Sequence, residues 1–104
     1  MGNNKVHLDI PQEKIVEFCK RNYIRKLSLF GSVLREDFHL DSDVDVLVEF
    51  EPGHAPGFIR LAGMELELSE ILGGYKVDMN TPHCLSRYFR DEVLATAEVQ
   101  YVKR

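Results

Sequence analysis

Apolar positions recur along this 104-residue chain at two different intervals, and the interval changes wherever turn-forming residues fall. From about Pro11 to Asn22, Ile15, Phe18 and Cys19 keep the three-to-four spacing of one helix face, with Lys14, Glu17, Lys20 and Arg21 turned to water. Asp9 with Gln12 three residues on has the form of a capping box, and Pro11 suits a first helical turn. Arg25 to Phe30 switches to alternation, with Leu27 and Leu29 on one face, and reads as a strand that Gly31 ends sharply. Ser32 to Glu36 is expected to form a short helix opening from that turn, and Phe38 to Ser42 a polar connector. Val44 to Phe50 is the second strand, where Val44, Val46, Val48 and Phe50 alternate with Asp43, Asp45, Leu47 and Glu49.

The stretch Glu51 to Gly57 holds two prolines and two glycines and reads as a loop. Phe58 to Leu72 follows as a helix with Leu61, Met64, Leu68 and Leu72 on its buried face; Glu65, Glu67 and Glu70 fall on a solvated face, and Gly73-Gly74 supplies the stop. Tyr75 to Met79 is expected as a third strand, Ser86 to Ala97 as a last helix with Leu85, Phe89, Val93 and Ala97 inward, and Val99 to Val102 as a short terminal strand. The order α-β-α-β-α-β-α, without repeats or a dividing linker, predicts a single domain over residues 1–104. Its class is α/β (α+β), a small mixed sheet flanked by helices.

A 44% hydrophobic and 29% charged composition supports a soluble core rather than disorder. The net charge of −4, without a basic stripe, argues against direct nucleic-acid binding. No apolar run reaches the roughly 18–20 residues that span a bilayer, and no signal-peptide pattern opens the chain, so no membrane association and a cytoplasmic location are expected. Cys19 and Cys84 lack metal-ligand spacing and are expected to be two buried thiols. The four histidines are scattered and read as surface or loop residues, the four tyrosines as packing residues.

Three features carry chemistry. Gly31-Ser32 stands at a strand-to-helix turn, where glycine admits a close backbone approach, free N–H groups face an anion, and the Ser32 hydroxyl can bond phosphate oxygens. The same pair is equally compatible with a simple helix cap. Asp43-Val44-Asp45 puts two carboxylates on one strand face with Cα atoms about 6.5–7 Å apart. Like charges about 4 Å apart at an effective dielectric near 20 repel by roughly 4 kcal/mol. A divalent cation such as Mg²⁺, held by one or two carboxylates and substrate phosphates, removes that penalty. A solvated strand start is the other reading. Asp78 interrupts the apolar run from Tyr75 to Met79. It either points to solvent or, with its strand beside Val44–Phe50, joins the same face as a third carboxylate able to take a proton from an attacking hydroxyl.

Gly31-Ser32, ten residues, then Asp43-x-Asp45 is the GSx10DxD signature of the nucleotidyltransferase superfamily. The segments Gly31–Phe38 and Asp41–Phe50, with Glu51-Pro52-Gly53, Lys76-Val77-Asp78, Thr81-Pro82 and Tyr88–Glu92, closely resemble the minimal nucleotidyltransferase (MNT) group over nearly the whole chain. One departure is Glu36, where many members carry a small residue after the motif arginine. The resemblance implies a polymerase β-like palm fold. It also implies that Asp43, Asp45 and Asp78 hold Mg²⁺ and do the catalysis, with Gly31 and Ser32 at the phosphates of ATP. Arg35, one turn after Ser32, either faces those phosphates or pairs with Glu36, Asp37 or another surface acid.

MNT proteins of this length resemble MntA-type antitoxins encoded with HEPN-domain ribonuclease toxins. The resemblance implies a Mg-dependent adenylyltransferase that moves AMP from ATP to a tyrosine of its toxin, in a hetero-oligomer with it. The shortness of the chain fits an acceptor that brings its own binding surface. A binding-only antitoxin with a vestigial site, and a nucleotidyltransferase acting on a small molecule or RNA end, are the alternatives.

Overall fold

The computed structural model describes residues 8–39, 41–88 and 90–103. Helix α1, Gln12–Arg21, buries the expected Ile15, Phe18 and Cys19. Asp9 does not cap it: Pro11 occupies the N-cap position without any side-chain cap bond, which leaves Asp9 two residues too early. Strand β1 is Ile24–Phe30, one residue longer than the alternation of leucines suggests. A bulge between Ile24 and Lys26 against the second strand lets Ile24 and Leu27, three apart, both turn into the core. Tyr23 links α1 to β1 with φ +57°, a left-handed conformation uncommon for a bulky residue, and its ring stacks on His54 with centroids 4.0 Å apart.

Strand β2, Val44–Phe50, has the predicted bounds and is the hub of the sheet. It pairs antiparallel with β1 and parallel with β3, Val77–Asn80. Strand β4, Glu98–Val102, lies antiparallel on the other side of β1, so the sheet order is β3-β2-β1-β4. Helix α2, Phe58–Ile71, crosses back between β2 and β3. It ends in a Schellman motif: Gly73 has φ +94°, its N–H reaches the Glu70 carbonyl, and the Gly74 N–H reaches that of Ser69.

The two faces of the sheet differ in kind. On one, Leu27, Leu29, Val44, Val46, Val48, Val77 and Met79 meet Ile15 and Phe18 of α1 and Met64 and Leu68 of α2 in one continuous core. On the other, among the described residues, Leu47 and Phe30 pack against Leu85 and Val93 in a small second cluster. That second face is thinly covered because the last helix, α3, is only Arg90–Thr96 rather than Ser86–Ala97. Before it, Pro82–Cys84 is a 3-10 turn, and the Ser86 hydroxyl accepts the Tyr88 N–H, a local side-chain bond that competes with helix. Phe89, expected to face inward, lies outside the described residues.

The short turn also corrects the reading of the cysteines. Cys19 is buried, and burial pushes its thiol up to about 12. Cys84 is exposed, and hydrogen bonds from Thr81 lower its pKa. Of the tyrosines, Tyr75 stacks on Phe38 and Tyr101 packs on the core, but Tyr88 is exposed and does not pack. Among the described residues no helix is long and apolar enough to cross a membrane.

Two leucines of α2 test this layering. Leu68 is 0% exposed and Leu66 is 71% exposed. Leu68→Ala is expected to lower the unfolding free energy by about 2–5 kcal/mol, through lost burial and an unfilled cavity. Leu66→Ala is expected to change it by less than about 0.5 kcal/mol. Urea unfolding of both variants measures the contrast.

Candidate active site

The open face of the sheet carries the acidic residues, and the strand register brings them together. Asp45 is the direct partner of Asp78 across the parallel β2–β3 pair, and of Phe30 across the antiparallel β1–β2 pair. Partnered residues point to the same face, so Asp78 stands beside Asp45 at the ~4.8 Å spacing of adjacent strands. Asp43, two residues before Asp45, continues the row at the exposed start of β2, where the Val44 N–H bonds the Lys76 carbonyl at 2.7 Å. This adjacency of β2 and β3 is what the sequence reading required of Asp78.

The glycine turn closes over the same place. Gly31 opens a 3-10 turn, Gly31–Leu34, with φ +76°. A Cβ built on it would overlap the Asp45 carboxylate oxygen and come within 3.3 Å of its Cγ. Both conformation and space therefore call for glycine, and the group that fills the space is a site carboxylate. The Ser32 hydroxyl donates to the Asp43 carbonyl at 2.9 Å, so it ties the turn to the acidic strand start. Its one proton is committed to that bond, while the first N–H groups of the turn lack intrahelical partners. Arg35 pairs with Asp37, with Nε 3.4 Å from Oδ1, and both side chains are well exposed, so the pair contributes little stability.

Charge is unbalanced here. Asp45 is half-buried, and its pKa is raised above the ordinary carboxylate range, first by burial, then by the charges of Asp78 and Asp43. The Arg35 guanidinium offsets part of this. Among the described residues no three such side chains are drawn together tightly enough to form a ready-made metal cage. The donor set is an open acidic rim, suited to a hard cation that draws its remaining ligands from a phosphorylated substrate.

One contact beside the rim was not legible in the sequence. Glu65, placed by periodicity on the solvated face of α2, is half-buried and accepts the Met79 N–H at 2.7 Å. The only hint is its position beside Met64 at the border of the buried stripe.

Two outcomes follow from this geometry. Gly31→Ala is expected to cost at least about 1–2 kcal/mol from its left-handed φ alone. In an Asp45→Ala background the clash is relieved and the cost should fall, which a double-mutant cycle by urea unfolding reads directly. Asp45 has a raised folded-state pKa, so the stability its protonated form provides is complete below the unfolded value near 3.9. It is lost as pH rises through the higher folded value. In EDTA, Asp45→Asn should therefore melt above wild type at pH 7, with the difference closing as pH approaches about 4.

The nucleotidyltransferase domain model matches residues 12–95, from α1 to α3. A protein adenylyltransferase named MntA, from Thermococcus cleftensis, is 36% identical over 86 residues, covering 83% of this chain and 82% of that protein. A chain of a toxin–antitoxin complex crystallised with AMP-PNP superposes with a TM-score of 0.71 at 20% identity, covering 91% of this chain and 76% of that one. A chain of the complex between a tri-AMPylated HEPN toxin of Shewanella oneidensis and an MNT antitoxin gives 0.59 at 19% identity, covering 88% and 70%. At those identities the solved structures establish the fold, while the matched residues 12–95 also include Gly31, Ser32, Asp43, Asp45 and Asp78. The chain belongs to the nucleotidyltransferase domain family.

Proposed function

We propose that this chain is an antitoxin that transfers AMP from ATP to a tyrosine of a cognate HEPN-domain ribonuclease toxin and silences it, acting in a hetero-oligomer with that toxin. The observation that carries the reading is the Asp45–Asp78 pair against Gly31, in a chain 36% identical to a protein adenylyltransferase. The likeness to toxin–antitoxin chains, one from a complex with AMP-PNP and one with an AMPylated HEPN toxin, supports both donor and partner.

The residues divide the work. The backbone N–H groups at Gly31 and Ser32 receive triphosphate oxygens, as orphan donors at a helical turn do. Arg35 can leave its exposed partner Asp37 to join them. Asp43, Asp45 and Asp78 would hold Mg²⁺, which when bound would supply positive charge to stabilise the transfer. The raised pKa of Asp45, from burial first and then from Asp78 and Asp43, supports a cation there, since nearby positive charge stabilises an ionised carboxylate. The tyrosine oxygen bonds the α-phosphorus, and the bond to the bridging β-phosphate oxygen breaks. Pyrophosphate leaves, and the phenol proton passes to the Asp78 carboxylate. Asp78 is exposed on an edge strand, open to an acceptor carried on another protein. The need for ATP places this chemistry in the cytosol.

A second reading rests on α2. Phe58 and Ile59 at its head are 92% and 91% exposed, and such side chains favour neutralisation by covering the toxin alone.

Incubation with [α-³²P]ATP, Mg²⁺ and the protein encoded beside this one separates the two. Label is expected on a partner tyrosine, and Asp45→Asn and Asp78→Asn are each expected to lower transfer by about 10²-fold or more. Removal of Mg²⁺ by EDTA should abolish it. No label, with toxicity suppressed equally by wild type and Asp45→Asn, would instead establish covering as the mechanism.

A further inference from the structure

Asp78 stands on an edge strand of the sheet. β3 has four residues and pairs with one strand, β2. Its outer side is held by side chains of α2. Glu65 accepts the Met79 N–H at 2.7 Å, and Ser69 donates its hydroxyl to the Tyr75 carbonyl. These two residues are four apart and so project from one helix face. They take hold of the chain on both sides of Asp78, three residues before it and one after. Asn80 Nδ2 adds a bond to the Asp78 carbonyl at 3.2 Å.

A carboxylate acceptor on an edge-strand N–H is stronger than the water that would otherwise take its place. It also prevents the outward pivot by which a short, one-sided strand frays. The helix that provides it is anchored in the core through Met64 and Leu68, on either side of Glu65 in sequence. A rigid element thus reaches across to the residue next to Asp78, and it does so with a side chain that no apolar packing requires.

We propose that Glu65 is a positioning residue for AMP transfer: through the Met79 N–H it sets the place of the Asp78 carboxylate relative to Asp45, with Ser69 as a second tether. The proposal rests on the reading of Asp78 as the proton acceptor. Glu65 does not touch the reacting atoms. Misplacement of a reacting group by about 1 Å costs up to roughly 10²-fold in rate, so loss of the tether belongs in kcat. The Gly31 turn and Asp43 are tied to each other through Ser32 and not through β3, so KM for ATP should change less than kcat even though Asp78 shares the Mg²⁺.

The test uses the full chain with its toxin, assayed below the melting temperature of every variant. Glu65→Ala is expected to lower kcat by about 10- to 100-fold, with a clearly smaller change in KM for ATP. Glu65→Gln keeps an acceptor oxygen and should stay within about fivefold of the wild-type kcat. Ser69→Ala should fall between them. Should Glu65→Ala not fold, Glu65→Asp, one methylene short, is expected to lose kcat more than KM in the same way. In the isolated protein, Met79 amide exchange should speed up by about tenfold or more in Glu65→Ala and little in Glu65→Gln. A wild-type kcat in Glu65→Ala, or equal losses in the Ala and Gln variants, would overturn the positioning role while leaving the transferase reading intact. A wild-type protein that transfers no AMP would overturn the transferase reading, and the positioning role with it.

Discussion

Two carboxylates held side by side on neighbouring strands, with a third two residues away, are the constraint around which the molecule is arranged. The parallel register of β2 and β3 makes Asp45 and Asp78 neighbours, and Gly31 is pressed so close to Asp45 that no side chain fits between them. Carboxylates about 5 Å apart at an effective dielectric near 20 repel by roughly 3 kcal/mol, less where water reaches them, as it does at Asp78. The fold tolerates this repulsion, and the pKa of Asp45 is raised by burial first and then by the charges of Asp78 and Asp43.

What holds that point in place is the asymmetry of the sheet. The helix-facing side is a closed apolar layer in which Val44, Val46 and Val48 are wholly buried under α1 and α2. Because side chains alternate along β2, each buried valine brings its neighbour, Asp45, Leu47 or Glu49, to the opposite face. The core thus fixes the acidic row without touching it. Among the described residues the open face is covered by Leu85 and Val93 over Leu47 and Phe30, and Asp43 and Asp78 at its acidic end are exposed.

The support weakens toward the edge. Asp45 lies on the central strand, between β1 and β3, whereas Asp78 lies on a short strand with one neighbour. The side chains that reach β3 from α2 compensate for the missing strand. They couple the helix, otherwise an element of the core, to the more exposed half of the candidate site.

Much of this was legible in the chain. The period of three to four at Ile15, Phe18 and Cys19, the alternation at Val44–Phe50 and the stripe Met64–Leu68–Leu72 placed three elements to within a residue or two, because burial of apolar side chains leaves a local, periodic trace. The spacing of Gly31-Ser32 and Asp43-x-Asp45 pointed to the family, since both halves of the motif lie on one β1–turn–β2 unit. The tertiary structure alone decided that β3 lies parallel to β2 with Asp78 opposite Asp45, that Gly31 is packed on a carboxylate, and that Ser32 bonds the Asp43 carbonyl. It also decided that Cys84 is exposed, α3 is short and Glu65 is bound to the edge strand. Each of these depends on contacts between residues distant in sequence, or on local side-chain bonds that compete with helix. Hydrophobic period does not record either: it reports which side of an element is buried, not which element lies beside it.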